Sequence, residues 1–368
     1  MNKSNGMPRG LRIAYVICED VNQETGVLKK IAAQMHYWIT KGHEAKLFVA
    51  AQSKECWSGL SDLNVEITLT QKFSDKMNRN LLLEKILPWK PDMLYLRFSW
   101  PYPFINRIVS EFPSIMEINS DDYAEIKSYL LKQKQYIRFI YYLFSRNRFY
   151  SRLSGFVFLS NELKIYFSRY KKLGVVISNG IDIDKISPSQ APNNNSPRLF
   201  FMGTPGQSWH GIDKICVIAK HYPTWQFELV GVTASEVVAP PTNMHFHGHL
   251  NNEKYSDILS KSDVAIATLA LHRKNMNEAS PLKVREYLAH GLPTILGYKD
   301  TDFPDGAPFL LQLPNAPTNV EDSLDTIEKF TLARMGKRVE RSEILHIHLG
   351  EKENQRISFF KKFLGIVN

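Results

Sequence analysis

The sequence predicts an α/β protein made of two doubly wound parallel-sheet domains. At 368 residues the chain is longer than one hydrophobic core usually grows to serve. Short apolar runs alternate with helical patterns along its length, the order that produces parallel sheets covered on both faces. The second half also repeats the layout of the first, with a strand, a glycine-bearing loop and then a helix.

Residues 11–17 read as a buried parallel strand, and Thr25 with Gly26 opens a helical pattern that runs to Gly42. Further strands are expected at 45–49, 65–69, 92–98, 114–118 and 155–159, with helices between them. Ser160 is placed to cap a helix, 175–177 is a strand, and Ser178-Asn-Gly-Ile-Asp182 makes a tight turn. Residues 187–197, rich in Pro, Asn and Ser, read as a linker. A new strand at 198–202 ends in Gly203-Thr-Pro-Gly206, and Trp209-His-Gly-Ile-Asp213 starts the next helix. Strands at 227–231 and 263–268 then put Gly203 and Glu278 at carboxyl ends of strands, where open α/β sheets bind ligands. Residues 320–335 and 351–364 close the chain as amphipathic helices.

Three cysteines, Cys18, Cys56 and Cys216, lack metal-ligand spacing and point to free thiols in a reducing compartment, hence the cytoplasm. The first ten residues are polar, and no stretch reaches the roughly 20 apolar residues that span a bilayer. A net charge of +9 asks for a polyanionic partner or surface. Residues 132–152 sharpen that demand, because they interleave aromatic and basic residues with no acid among them. Such a helix fits the headgroup region of an anionic membrane, carried by Lys132, Lys134, Arg138 and Arg146 with Tyr136, Phe139, Tyr142, Phe149 and Tyr150. Nucleic-acid stacking is the runner-up. The bland reading puts the aromatics in the core and the basic residues on its rim. His245, His247 and His249 alternate as on a strand and read as a surface face rather than a metal site.

The stretch from Glu278 to Ile295 carries the chemistry. Ser280 and Pro281 start a helix and Gly291 with Pro293 ends it, leaving free amides near 280–283 to face an anion such as a diphosphate. Lys283, Glu286 and His290 share one helix face, and Val284, Leu288 and Ala289 the apolar one. A Lys283/Glu286 surface pair is the competing reading of that face.

Glu278 and Glu286, eight apart and followed by Gly291-Leu-Pro293, resemble the E-x7-E motif of the retaining nucleotide-sugar glycosyltransferases of family 4. Gly26, Ser178 to Asp182, Gly203 and Trp209 to Asp213 fall in that family's order, so the resemblance covers most of the chain. It implies the GT-B fold: a domain of residues 1–187 for the acceptor, one of 188–345 for the nucleotide sugar, a cleft between them, and a helix within 346–368 crossing back to the first. It implies that Glu278 holds hydroxyls of the donor sugar and Glu286 the nucleotide ribose. Gly203, Thr204, His210, Lys274, Ser280, Leu282 and Lys283 would surround the diphosphate, and Gly26 would lie on the acceptor side.

The chain departs from the pattern in three places. Thr204 and His210 stand where many members carry Arg and Lys, so Lys274 and Lys283 are expected to supply the positive charge a leaving diphosphate needs. Asn119 stands near the family's active-site His and can position a sugar but cannot act as a base, which leaves Glu117 or Asp121 to accept a proton. The implied reaction moves a sugar from a nucleotide diphosphate sugar, a substrate rather than a cofactor, to a hydroxyl of a glycan or lipid-linked saccharide. Configuration would be retained, no metal used, and the leaving diphosphate would help deprotonate the acceptor. The setting would be bacterial surface polysaccharide synthesis in the cytoplasm, peripheral on the inner face of the membrane, with no nucleic-acid partner. The rivals are a nucleotide-sugar epimerase of the same fold and a non-catalytic membrane-associated assembly protein.

Overall fold

In the computed structural model, which describes residues 9–97 and 100–366, the chain divides into two units. One comprises Met1–Ile177 with Leu349–Asn368 and the other Ser178–His348. Phe98, the expected end of a strand, and the polar start at residues 1–8 lie outside the described residues.

The first unit carries β1 (Arg12–Ile17), β2 (Glu44–Ala51), β3 (Val65–Leu69), β4 (Met93–Arg97), β5 (Ser114–Ile118), β6 (Gly155–Phe158) and β7 (Leu173–Val176). They form one parallel sheet in the order β3-β2-β1-β4-β5-β6-β7, so the winding reverses between β1 and β4. The helices are α1 (Gly26–Thr40), α2 (Phe73–Met77), α3 (Leu83–Ile86), α4 (Pro103–Glu111), α5 (Asp122–Lys132), α6 (Tyr136–Arg152) and α7 (Asn161–Phe167). Helix α1 starts where expected, because the Thr25 hydroxyl accepts from the Leu28 amide. Its buried stripe of Leu28, Ile31, Met35 and Trp38 lies on the sheet.

The second unit carries β8 (Arg198–Met202), β9 (Gln226–Val230), β10 (Met244–Gly248), β11 (Val264–Ile266), β12 (Glu278–Ala279), β13 (Thr294–Leu296), β14 (Lys299–Asp300) and β15 (Leu310–Gln312). Six of them make a parallel sheet, β10-β9-β8-β11-β13-β15, whose winding reverses between β8 and β11; β12 and β14 pair by themselves. Its helices are α8 (Ile212–His221), α9 (Asn252–Ser260), α10 (Leu282–Ala289) and α11 (Leu324–Arg334). The final helix, α12 (Leu349–Phe363), belongs to the first unit and adds Ile357 and Phe360 to its core, where Phe360 meets the rings of Trp38 and Tyr95.

The division after Ile177 comes earlier than the boundary expected after residue 187, and hydrogen bonds explain why. The stretch before the expected linker is pinned to the second unit: the Ser178 hydroxyl donates to Asp302, the Asn179 amide donates to the Ser280 hydroxyl, and Arg341 donates to the carbonyl of Ile186.

The basic aromatic segment is not one helix. Lys132 ends α5, Lys134 adopts a left-handed backbone (φ 55°), and α6 begins at Tyr136. The Lys132 side chain lies outside the described ones. Arg146, expected on a membrane face, is buried instead, its guanidinium forked onto Asp122 at 2.6 and 2.8 Å. Tyr142 and Tyr150 donate to the same carboxylate. Tyr142, Phe149 and Tyr150 therefore belong to the core, as the bland reading had it. The exposed apolar residues of α6 are others: Ile137, Ile140, Leu143 and Phe144, with Tyr136. No helix among the described residues is long and apolar enough to cross a membrane.

Candidate functional site

In the second unit the winding reversal leaves a gap at the carboxyl ends of β8 and β11, the kind of place where doubly wound sheets hold ligands. Gly203 follows β8 there. A Cβ on Gly203 would come within 2.7 Å of the Phe201 ring and 2.9 Å of His210, and one on Gly231, at φ +80°, within 2.1 Å of the Gly203 carbonyl. Close backbone approach and a positive φ demand glycine at Gly231, while Gly203 is hemmed in by the Phe201 and His210 rings.

His210 ends a short 3-10 turn, Ser208–His210, and is buried. Its Nε2 accepts from the Thr204 amide at 3.2 Å, which places the ring proton on Nδ1. Nδ1 lies 3.3 Å from Lys283 Nζ, and that nitrogen also donates to the Met202 carbonyl at 3.2 Å. An imidazole N–H facing an ammonium is repulsive, so the pair closes as a hydrogen bond when Lys283 is the neutral amine. Burial pulls Lys283 down to about 7. Burial, and then the charges of Lys283 and Lys274, pull His210 down to about 2. His210 is held neutral there and braces the Gly203-Thr204 loop. Lys274 lies 4.1 Å above the Trp209 ring.

Glu278 opens β12, opposite Lys299 of β14, and is half-buried. Glu286, on α10, is also half-buried, and the buried hydroxyl of Tyr255 on α9 donates to it. The sequence pointed to Glu286 but not to Tyr255, since nothing in a helix pattern says which tyrosine will reach across.

Ser280 does not cap α10. The cap position is Pro281, and Leu282 and Lys283 are the first helical residues. The Ser280 hydroxyl instead accepts from the Asn179 amide at 2.9 Å and from Arg285 at 2.8 Å, while the Asn179 side chain donates to the Ser280 carbonyl. Arg285, fully buried, is forked onto Asp300 at 2.8 and 2.9 Å, paired with Asp302 at 2.5 Å, and donates to the Asn179 carbonyl. Ser178 donates to Asp302. The Ser178 to Asp182 turn is thus fastened to the start of α10 by a buried network. Arg285 was the missed residue: at about 100° per residue it falls between Leu288 and Ala289 on the apolar face, and a charge in a buried stripe needs partners of this kind.

In the first unit Gly26 is the exposed first residue of α1, at the carboxyl end of β1 beside the winding reversal. Asn119 follows β5, and its buried Nδ2 has no hydrogen-bond partner among the described residues. Glu117 contradicts its expected role. It is 0 % exposed, accepting from Lys30 at 2.6 Å and Tyr95 at 2.8 Å, with Arg356 at 3.5 Å and Arg97 at 3.8 Å. Burial alone would raise its carboxyl, but Lys30, Arg356 and Arg97 outweigh that and hold it well below the usual carboxylate range. So stabilised, it is a poor proton acceptor. Asp121 accepts from the amides of Tyr123 and Ala124 and serves the start of α5.

His245 and His247 lie on the exposed face of β10, paired with Gln226 and, at 2.6 Å, with Glu228. Among the described residues the group with metal-binding reach is a different one, Asp182, Asp184 and His348, partly exposed.

No protein-family model and no curated protein sequence matches the chain. Solved structures do. Sucrose-phosphate synthase from Thermosynechococcus elongatus superimposes with a TM-score of 0.71 at 13% identity, over 96% of this chain and 99% of that one. The lipopolysaccharide outer core galactosyltransferase WaaB in its apo form gives 0.64 at 12% identity, over 95% and 99%. Anabaena HepE in complex with UDP-glucose gives 0.64 at 12%, over 96% and 100%. Likeness at such identity speaks for architecture, and the architecture is that of the GT-B glycosyltransferases: two α/β units, each on a parallel sheet.

Proposed function

We propose that the protein is a retaining glycosyltransferase that moves a sugar from a nucleotide diphosphate sugar to a hydroxyl of a glycan or lipid-linked saccharide. The observation that supports this best is the convergence at one winding reversal of the Gly203 loop, the start of α10 and the two lysines around His210. A diphosphate needs close backbone approach, helix-start amides and cations, and this corner of the second unit offers glycines, the start of α10 and two lysines. Glu278 and Glu286 lie just before α10 and along it, suited to sugar and ribose hydroxyls. With Lys283 and Lys274 balancing the leaving diphosphate, the reading asks for no metal. Asn119 would orient the acceptor, and with Glu117 locked in its cation cluster the leaving diphosphate is the remaining proton acceptor. A lipid-linked acceptor would bring the enzyme to the inner face of a membrane, as in surface polysaccharide synthesis.

HepE is named as binding UDP and UDP-glucose, so uridine diphosphate sugars are the first donors to try. The test is a panel of nucleotide sugars, with release of nucleoside diphosphate followed with and without acceptor. One donor should be bound and slowly hydrolysed, and Glu286→Gln should raise its KM several-fold with kcat held, because a ribose contact is equal in ground and transition states. Isomerisation of a donor without acceptor would instead make the protein an epimerase, and failure to bind any of them would remove the reading.

A further inference from the structure

The first unit has a polar cavity lined by none of the candidate site residues above. It measures about 530 Å³ and is lined by Arg79, Arg107, Arg148 and Arg152 together with Tyr141 and Phe144. No acidic side chain lines it among the described residues. Arg107 is paired with Glu111 on its own helix at 2.7 Å, and Arg152 donates to Asn106 at 3.3 Å. Arg79 and Arg148 have no ion-pair or hydrogen-bond partner among the described residues. Four guanidiniums around one hollow repel each other, and an anion with several acceptor oxygens relieves that repulsion.

What borders the hollow identifies the anion. Phe144 forms its lip and is 82% exposed, and Ile137, at 85%, continues the same ridge with Ile140 and Leu143. At about 100° per residue these four share an arc of roughly 120° on α6. Arg148 follows Phe144 by one helical turn and Arg152 by two. Exposed aliphatic side chains in such a stripe find no partner in water, and basic side chains whose stems run beside them place their charge at headgroup level. A nucleic acid would ask for flat rings to stack on, whereas this ridge is mainly isoleucine and leucine.

We propose that this hollow binds the phosphate of an anionic lipid headgroup while Ile137, Ile140 and Phe144 lie among the acyl chains. The inference deepens the acceptor half of the proposed function and rests on that reading for the membrane, while its surface is wholly in the first unit. The earlier expectation placed the basic contacts on Lys132, Lys134, Arg138 and Arg146; the geometry moves them to Arg79, Arg107, Arg148 and Arg152.

The full chain should sediment with vesicles of phosphatidylglycerol in phosphatidylcholine and at least tenfold less with phosphatidylcholine alone at moderate salt. Arg148→Glu with Arg152→Glu should abolish sedimentation. Ile137→Ser with Phe144→Ser, which leaves charge unchanged, should weaken it at least fivefold. Circular dichroism would check the fold of each variant, and uridine diphosphate binding to the second unit should match wild type in all of them. The proposal is overturned if wild type does not prefer anionic vesicles, or if the serine variant binds them like wild type, which would make the hollow a site for free phosphate. It is equally overturned if the same arginines serve single-stranded RNA with a steep salt dependence and not vesicles. A protein that binds vesicles but no nucleotide sugar would lose the transferase reading and keep this surface.

Discussion

The two units share one plan, a parallel sheet whose winding reverses beside a glycine-bearing loop, yet they treat charge in opposite ways. In the first, Glu117, Lys30, Arg356 and Glu353 are sealed under α1 and α12, Arg356 bonded to Glu353 and Tyr95, and Trp38 and Gln34 donating to Glu353. In the second, Glu278, Glu286, Lys274 and Lys283 stay half-exposed around the reversal, and the sealed network, Arg285 with Asp300 and Asp302, stands behind them. A buried ion cluster whose members satisfy each other holds a fold together. Charges left partly exposed beside a winding reversal keep contact with solvent. The contrast separates two glutamates that the sequence had both offered as active-site residues.

The largest expected effect breaks that contrast from the structural side. Glu117→Ala should destabilise the first unit by about 3–5 kcal/mol, because Lys30 would be left buried without its anion and Arg356 with Glu353 alone. Denaturant unfolding measures this, and a loss below about 1 kcal/mol would reopen a catalytic role. Glu278→Ala should do the reverse, with little change in unfolding but turnover lowered about 100-fold or more, some 3 kcal/mol of transition-state stabilisation. Wild-type turnover in that variant would take Glu278 out of the site.

The smallest and most diagnostic effect concerns Lys283. A lysine lowered to about 7 by burial is largely neutral above that pH, and a bound diphosphate would favour its charged form. Donor binding at pH 8 should therefore take up close to one proton, seen as a buffer-dependent binding enthalpy. Affinity should be flat below about pH 7 and fall as pH rises above it. Lys283→Met should remove the uptake and weaken binding by about 1.5–3 kcal/mol. Uptake that persists in Lys283→Met would assign the proton elsewhere.

Sequence alone determined the elements and their winding. Short apolar runs, Thr25 as a cap and glycines at strand ends are local preferences, and they survived with shifts of a few residues. The helix that carries Glu286 was legible for the same reason, whereas Glu278 lies on β12 before it, outside any helical spacing. Tertiary structure decided which charges are sealed. Glu117 and Asn119 are two residues apart on one strand end, and only the arrival of Lys30, Arg97 and Arg356 from three other segments makes the first of them structural. Arg146 and Arg148 are likewise neighbours in sequence, one locked onto Asp122 and the other lining an open hollow. Burial depends on partners tens to hundreds of residues away, and no local pattern records them.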